Sequence, residues 1–253
     1  MTGSANGSGL AVVVGATGAL GSAIVTRLRA AGLGVVAVAR KDPALCGAGI
    51  TGCAADIGSD DAVTAIAAAV DRAGGGPVRM VVQAAGLPAA GPVESIEPDA
   101  LGRAVALKAG GLLRLIRAVD DRLVAGSRIV ALGGHYGSEP APYACAAGVT
   151  NAGLANLVRQ LAVAYGPRGI TAHLVAPGPA DTPRLRALSE QAAARRGIPV
   201  DQVLAERAAE SPLGRLVTPA EVAWAVTLLL DPQAGALHGS TLALDVGARR
   251  GIF

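Results

Sequence analysis

Short apolar runs alternate along this chain with Ala-rich stretches of helical period, the pattern of a parallel sheet covered by helices on both faces. The runs Leu10–Val14, Val35–Ala39, Met80–Gln83, Arg128–Leu132, Thr171–Val175 and Thr241–Asp245 are expected to be strands. Between them, Gly21–Ala31, Asp60–Ala73, Pro98–Val124, Val149–Tyr165, Leu185–Glu210 and Pro219–Leu230 are expected to be helices. A run such as Leu-Ala-Val-Val-Val has no polar alternate positions, so both faces of that strand must be buried. No internal repeat, low-complexity block or linker divides the chain. The expectation is an α/β fold: a single doubly wound domain over residues 10–253, with a mostly parallel central sheet flanked by helices. Residues 1–9 read as a disordered lead-in, and 185–210 as a helical region.

Composition changes this picture in a few respects. Of the 253 residues 51% are hydrophobic and only 2% aromatic, so the core must be built from Ala, Val, Leu and Ile. Charged residues are 16%, low for a soluble domain, which leaves surface to Ala and Gly or to other subunits. The net charge of +3 is spread without blocks, and one Phe, one Trp and three Tyr offer few stacking surfaces, so nucleic acid is not an expected partner. The start, MTGSANGSG, lacks the basic and apolar regions of a signal peptide, and no uncharged apolar run is long enough to span a bilayer; a cytoplasmic protein without a membrane partner is expected. Cys46, Cys53 and Cys145 are too scattered for a disulfide frame or zinc site, and no metal is expected.

The first candidate chemistry follows the first strand. Gly15-Ala16-Thr17-Gly18-Ala19-Leu20-Gly21 leads straight into a helix. Glycines there let the backbone turn sharply and approach a pyrophosphate held by free N–H groups at the positive end of the helix, the Rossmann-type arrangement; the alternative is a tight turn without a ligand. The second strand ends Ala39-Arg40-Lys41. A carboxylate there would suit a ribose 2′-hydroxyl, whereas cations suit a 2′-phosphate, so NADP(H) is the expected cofactor.

With these residues in view the chain resembles a short-chain dehydrogenase/reductase from about Leu10 to Gly247. The glycine loop is similar to the family's TGxxxGxG, with Val14 for Thr and Ala19 for the middle Gly. Asp56-Ile57 resembles the Asp-Val pair beside the adenine, and Gln83-Ala84-Ala85-Gly86 a changed NNAG. Pro177-Gly178 with Asp181-Thr182-Pro183 resembles the segment under the nicotinamide, where Thr182 would hold the carboxamide. Pro212-Leu213-Gly214-Arg215, Pro219–Ala223 and Leu244-Asp245-Val246-Gly247 resemble the family's C-terminal part. The cofactor-binding residues this implies are Gly15, Thr17, Gly18, Leu20, Gly21, Arg40, Lys41, Asp56, Ile57, Ala85, Gly86, Asn151, Pro177, Gly178 and Thr182.

The resemblance also implies an Asn–Ser–Tyr–Lys catalytic set, in which Tyr protonates the carbonyl, Ser polarises it, Lys binds the ribose and Asn positions a water relay. Ser127–Gly134 resembles the strand that ends in the catalytic Ser, with Gly134 in its place. The family's Tyr lies thirteen residues further on and its Lys four beyond that, which leads to Ala147 and Asn151; Ala106 takes the Asn position. Tyr143-Ala144-Cys145-Ala146-Ala147 has the YxxxK outline but is four residues out of register. The family set therefore reads Ala106, Gly134, Ala147 and Asn151. Substitute candidates are Tyr143, if the helix reaches back so that 143, 147 and 151 share one face, and His135, which titrates near neutral pH. Asn151 can still bond the ribose, and Tyr136 and Glu139 lie in the same loop.

Three functions stay open on these residues. One is an NADPH-dependent ketoreductase acting on a hydrophobic biosynthetic small molecule, with proton delivery altered or assisted by the substrate. Another is a cyclase, isomerase or dehydratase using the same cleft without redox chemistry. The last is a non-catalytic partner subunit. The resemblance further implies that 185–210 lies over the substrate, and that the long helices Pro98–Val124 and Val149–Tyr165 pair subunits into a homodimer or homotetramer, or a hetero-oligomer with another member of the family.

Overall fold

The computed structural model describes residues 9–41, 43, 45 and 47–251. The lead-in over residues 1–8 and Cys46 lie outside these. Seven strands, β1 Leu10–Val14, β2 Gly34–Ala39, β3 Ile50–Ala54, β4 Val78–Gln83, β5 Leu123–Leu132, β6 Thr171–Pro177 and β7 Thr241–Leu244, form one sheet in the order β3-β2-β1-β4-β5-β6-β7. Every pairing in it is parallel. Strand order reverses between β1 and β4, which opens a crevice beyond their carboxyl ends where ligands of such sheets bind.

Helices cover both faces. Helices α1 (Ala19–Ala30) and α8 (Pro219–Leu228) pack on one side, and α2 (Asp61–Arg72), α4 (Gly111–Arg117) and α5 (Cys145–Tyr165) on the other. Alternation along β1 shows why both layers are needed. Leu10, Val12 and Val14 point into the layer under α2, α4 and α5, whereas Ala11 and Val13 point under α1 and α8. The two apolar layers are filled almost wholly by Ala, Val, Leu and Ile, as expected from the composition.

Three elements depart from expectation. Strand β3, Ile-Thr-Gly-Cys-Ala, is absent from the expected list because its apolar signal is broken by Thr51 and Gly52; it exists by pairing with β2, from Val35 opposite Ile50 to Ala39 opposite Ala54. The helix expected over Pro98–Val124 is shorter and divided: α3 (Pro98–Val105) runs through a wide turn at Ala106–Gly110 into α4, and β5 already begins at Leu123. The apolar residues before and after Arg117 merge into one run, which carries no mark of the boundary between α4 and β5. The region 185–210 is two helices, α6 (Pro183–Arg196) and α7 (Val200–Ala209), separated by Gly197-Ile198-Pro199. Among the described residues no helix is long and apolar enough to cross a membrane, and no group of three or more His, Cys, Asp or Glu could hold a metal.

Candidate active site

The glycine loop is built for close approach. Gly15 has φ +78°, and a Cβ on it would stand 2.8 Å from the Ala84 carbonyl. A Cβ on Gly21 would fall 2.0 Å from the Gly15 oxygen, so only glycine lets α1 start this near to β1. The Gly15 and Ala16 N–H groups donate to Val38 O at 2.9 and 3.1 Å. Helix α1 opens without a side-chain cap on Gly18, leaving its first-turn N–H groups, including those of Leu20 and Gly21, to an external acceptor. Thr17 and Gly18 are exposed at this opening. This cradle fits a pyrophosphate.

Around the cradle, Arg40 and Lys41 are exposed at the end of β2 and make no ion pair among the described residues. Asp56 Oδ1 accepts from Gly58 N at 2.9 Å, fixing the turn that buries Ile57. Gln83, fully buried, donates from Nε2 to Leu107 O at 3.1 Å and accepts from Ala85 N at 3.2 Å. It ties the carboxyl end of β4, and with it Ala85 and exposed Gly86, to the wide turn beside it.

Beyond the loop lies a cleft of about 680 Å³. Gly134, Ala147 and Asn151 line it together with His135, Tyr136 and Tyr143; Ala106 stands outside this lining, exposed at the start of the wide turn. Pro177, Gly178 and Thr182 form another part of the wall. Gly178 N donates to Leu244 O at 3.0 Å. The Thr182 hydroxyl accepts from Leu185 N at 3.2 Å and donates to Ala180 O at 3.3 Å, so it caps α6 at the cleft edge.

Helix α5 begins at Cys145, so Tyr143 does not share its face with Ala147 and Asn151. It rides on a tight turn over Pro142–Ala144 and still lines the cleft. Its hydroxyl lies 3.0 Å from that of Tyr136, the rings meet edge to face at 5.7 Å, and the Arg207 guanidinium covers the Tyr143 ring at 4.7 Å. Burial pushes the Tyr136 phenol up, and the bond to Tyr143 adds to this. Tyr136 therefore stays a neutral hydroxyl across the physiological range. His135 is buried, with its ring 4.0 Å from that of Tyr136; burial holds its pKa below the usual histidine range.

The Asn151 side chain is buried against the end of β5. A Cβ on Gly134 would come within 2.9 Å of its Nδ2, and one on Gly137 within 2.9 Å of its backbone carbon. These glycines let α5 press close where a larger residue would push it away. Sequence reasoning passed over Lys108, which is buried in the wide turn and donates to Leu132 O at 2.7 Å. Burial, with Arg184 nearby, lowers its pKa to about 8. A lone Lys inside the otherwise apolar Ala-Leu-Lys-Ala-Gly-Gly-Leu-Leu was the available signal.

A parallel sheet with a helix-terminal cradle at its switch point and a largely apolar cleft beside it defines a Rossmann-type α/β scaffold. Comparison with known proteins makes this specific. The family model described as Enoyl-(Acyl carrier protein) reductase matches residues 15–249. The chain is 29% identical, over 94% of its length and 93% of the relative's, to Short-chain reductase protein NovJ of Streptomyces niveus. It is 31% identical, over 83% of its length and 90% of the relative's, to Inactive 2-(S)-hydroxypropyl-CoM dehydrogenase 2 of Xanthobacter autotrophicus. A solved structure of a variant actinorhodin polyketide ketoreductase with NADPH superposes with a TM-score of 0.87 at 26% identity, covering 96% of this chain and 98% of that one. The chain belongs to the short-chain dehydrogenase/reductase family, a family of oxidoreductases that bind nicotinamide cofactors.

Proposed function

We propose that this chain is an NADPH-dependent ketoreductase in which the Tyr136–Tyr143 pair delivers the proton. The observation that carries the reading is one cleft holding two hydroxyls in contact at 3.0 Å, while Ala147 and Gly134, which take the family's Tyr and Ser positions in our register, bring no donor. Bound NADPH would supply a hydride to the substrate's carbonyl carbon. Gly15–Gly21 would hold its pyrophosphate, Arg40 and Lys41 its 2′-phosphate, Asp56 and Ile57 its adenine, and Asn151 its nicotinamide ribose. Thr182 would meet the carboxamide with its hydroxyl already shared with α6.

In this reading Tyr136, kept protonated by burial, is the donor of the pair and Tyr143 the acceptor, which turns the Tyr143 proton outward. Tyr143 gives that proton to the carbonyl oxygen as the carbon is reduced, and is reprotonated through Tyr136 or solvent, being 46% exposed. His135, neutral at pH 7, stacks on Tyr136 and orients it. The relatives named for ketone reduction support this reaction class.

One observation favours a second reading, a nucleotide-binding subunit that partners an active relative. Asn151 occupies the space a serine at 134 would need, and a 31% identical relative is named inactive. Mixing the purified protein with NADPH and a broad panel of ketones tests both. Oxidation of NADPH with formation of alcohol supports the reductase; tight NADPH binding without turnover on any ketone would leave the partner reading in its place.

A further inference from the structure

The cleft carries one sign of charge. Arg184 and Arg195 of α6 and Arg207 of α7 line it, and among the described residues no Asp or Glu does. In the same two helices Arg196 pairs with Glu206 at 2.5 Å and Arg207 with Glu210 at 2.7 Å, while Arg186, outside the cleft lining and exposed, makes no ion pair among the described residues. Arg184 and Arg195 have no ion-pair partner among the described residues.

Their placement along α6 is ordered. Arg184 stands at the inner end, its Nη1 3.9 Å from where a Cβ on Gly86 would lie, and Arg195 follows about three turns later on the same face. Between them Leu185, Leu188 and Ala192 present an apolar stripe to the cleft at helical spacing. Ser189, on the same wall, is 2% exposed, and its hydroxyl has no hydrogen-bond partner among the described residues. A concave, largely apolar wall with uncompensated cations concentrates counter-ions that also carry apolar surface.

We infer that the substrate of this cleft is an amphipathic anion, an apolar body lying on Leu185, Leu188 and Ala192 with a carboxylate or phosphate held by Arg195. Arg184 adds positive potential at the inner end, toward the cofactor cradle. Arg207 is set apart, because Glu210 balances its charge and its guanidinium lies on Tyr143. The inference rests on reading this cleft as the substrate site.

Isothermal titration with decanoate, decyl phosphate and decanol tests it, beside a separate fluorescence titration with NADPH. The expected result is that at least one anion binds about tenfold more tightly than decanol, and that added salt removes the difference. The tighter of the two anions identifies the headgroup. R195Q should lose this preference while binding NADPH as the wild type does; R184Q should weaken it less. Decanol binding as well as both anions, or R195Q keeping the full preference with an unchanged melting temperature, would overturn the inference. Anion binding without any NADPH binding would instead sink the reductase reading and leave this one standing.

Discussion

Tyr143 and Gly21 act in opposite ways, one by a group it offers and the other by a group it lacks. If Tyr143 delivers the proton, Tyr143→Phe should lower kcat about a hundredfold with little change in KM, as removal of a general acid does. Tyr136→Phe should cost less, because it removes only the bond that orients Tyr143. Steady-state kinetics on both variants checks this; full activity in Tyr143→Phe would move the proton source elsewhere. Gly21→Ala should abolish NADPH binding and cost about 1–3 kcal/mol in stability, because its methyl would meet backbone and not a movable side chain. NADPH fluorescence and a urea midpoint read these two effects separately. At this scale the geometry of the glycine loop was legible, since it works through local backbone conformation that sequence order encodes. Lys108, Arg184, Arg195 and Arg207 were not, because nothing in their neighbours says which way a helix turns its charges.

At the scale of elements, the start of α8 at Pro219 was legible in the sequence, whereas α5 begins at Cys145 and not at the expected Val149. Thr218-Pro219-Ala220-Glu221 forms a capping box at α8: Glu221 N donates to Thr218 Oγ1 at 3.2 Å, and Thr218 N donates to Glu221 Oε2 at 2.8 Å. Thr218→Ala should therefore lower stability by about 1 kcal/mol, measured by chemical denaturation. Arg215 also grips Glu221, at 3.0 and 2.7 Å, and with the cap it holds that carboxyl down at about 2. Strand β3 and the start of β5 escaped the sequence for a shared reason. Both are defined by the neighbour that pairs with them, β2 in one case and β4 in the other, and not by a periodicity of their own.

For the whole molecule the clearest consequence of burial is a pH dependence. His173 is fully buried in β6, with Nδ1 donating to Leu237 O at 3.1 Å and Nε2 accepting from Thr171 Oγ1 at 2.8 Å. Burial first lowers its pKa to about 4. The folded pKa is thus below that of the unfolded chain, about 6.5. The unfolded state binds the extra proton first, so stability is complete above about pH 6.5 and is lost as pH falls toward 4. His135 is shifted in the same direction by burial and adds to the loss. Urea midpoints should fall between pH 7 and pH 5, and His173→Gln should flatten that slope; an unchanged slope in the variant would show that other groups set it.

The sequence by itself determined the doubly wound sheet, the order of its main elements, the glycine cradle and the family, because these rest on periodicity and on short motifs whose geometry is local. Only the tertiary structure decided what the cleft is made of. It brought Tyr136 against Tyr143, pressed Asn151 onto two glycines and turned Arg184 and Arg195 over one wall. Those meetings join residues from α5, α6 and the segment between β5 and α5, and they depend on packing angles that no stretch of sequence carries alone.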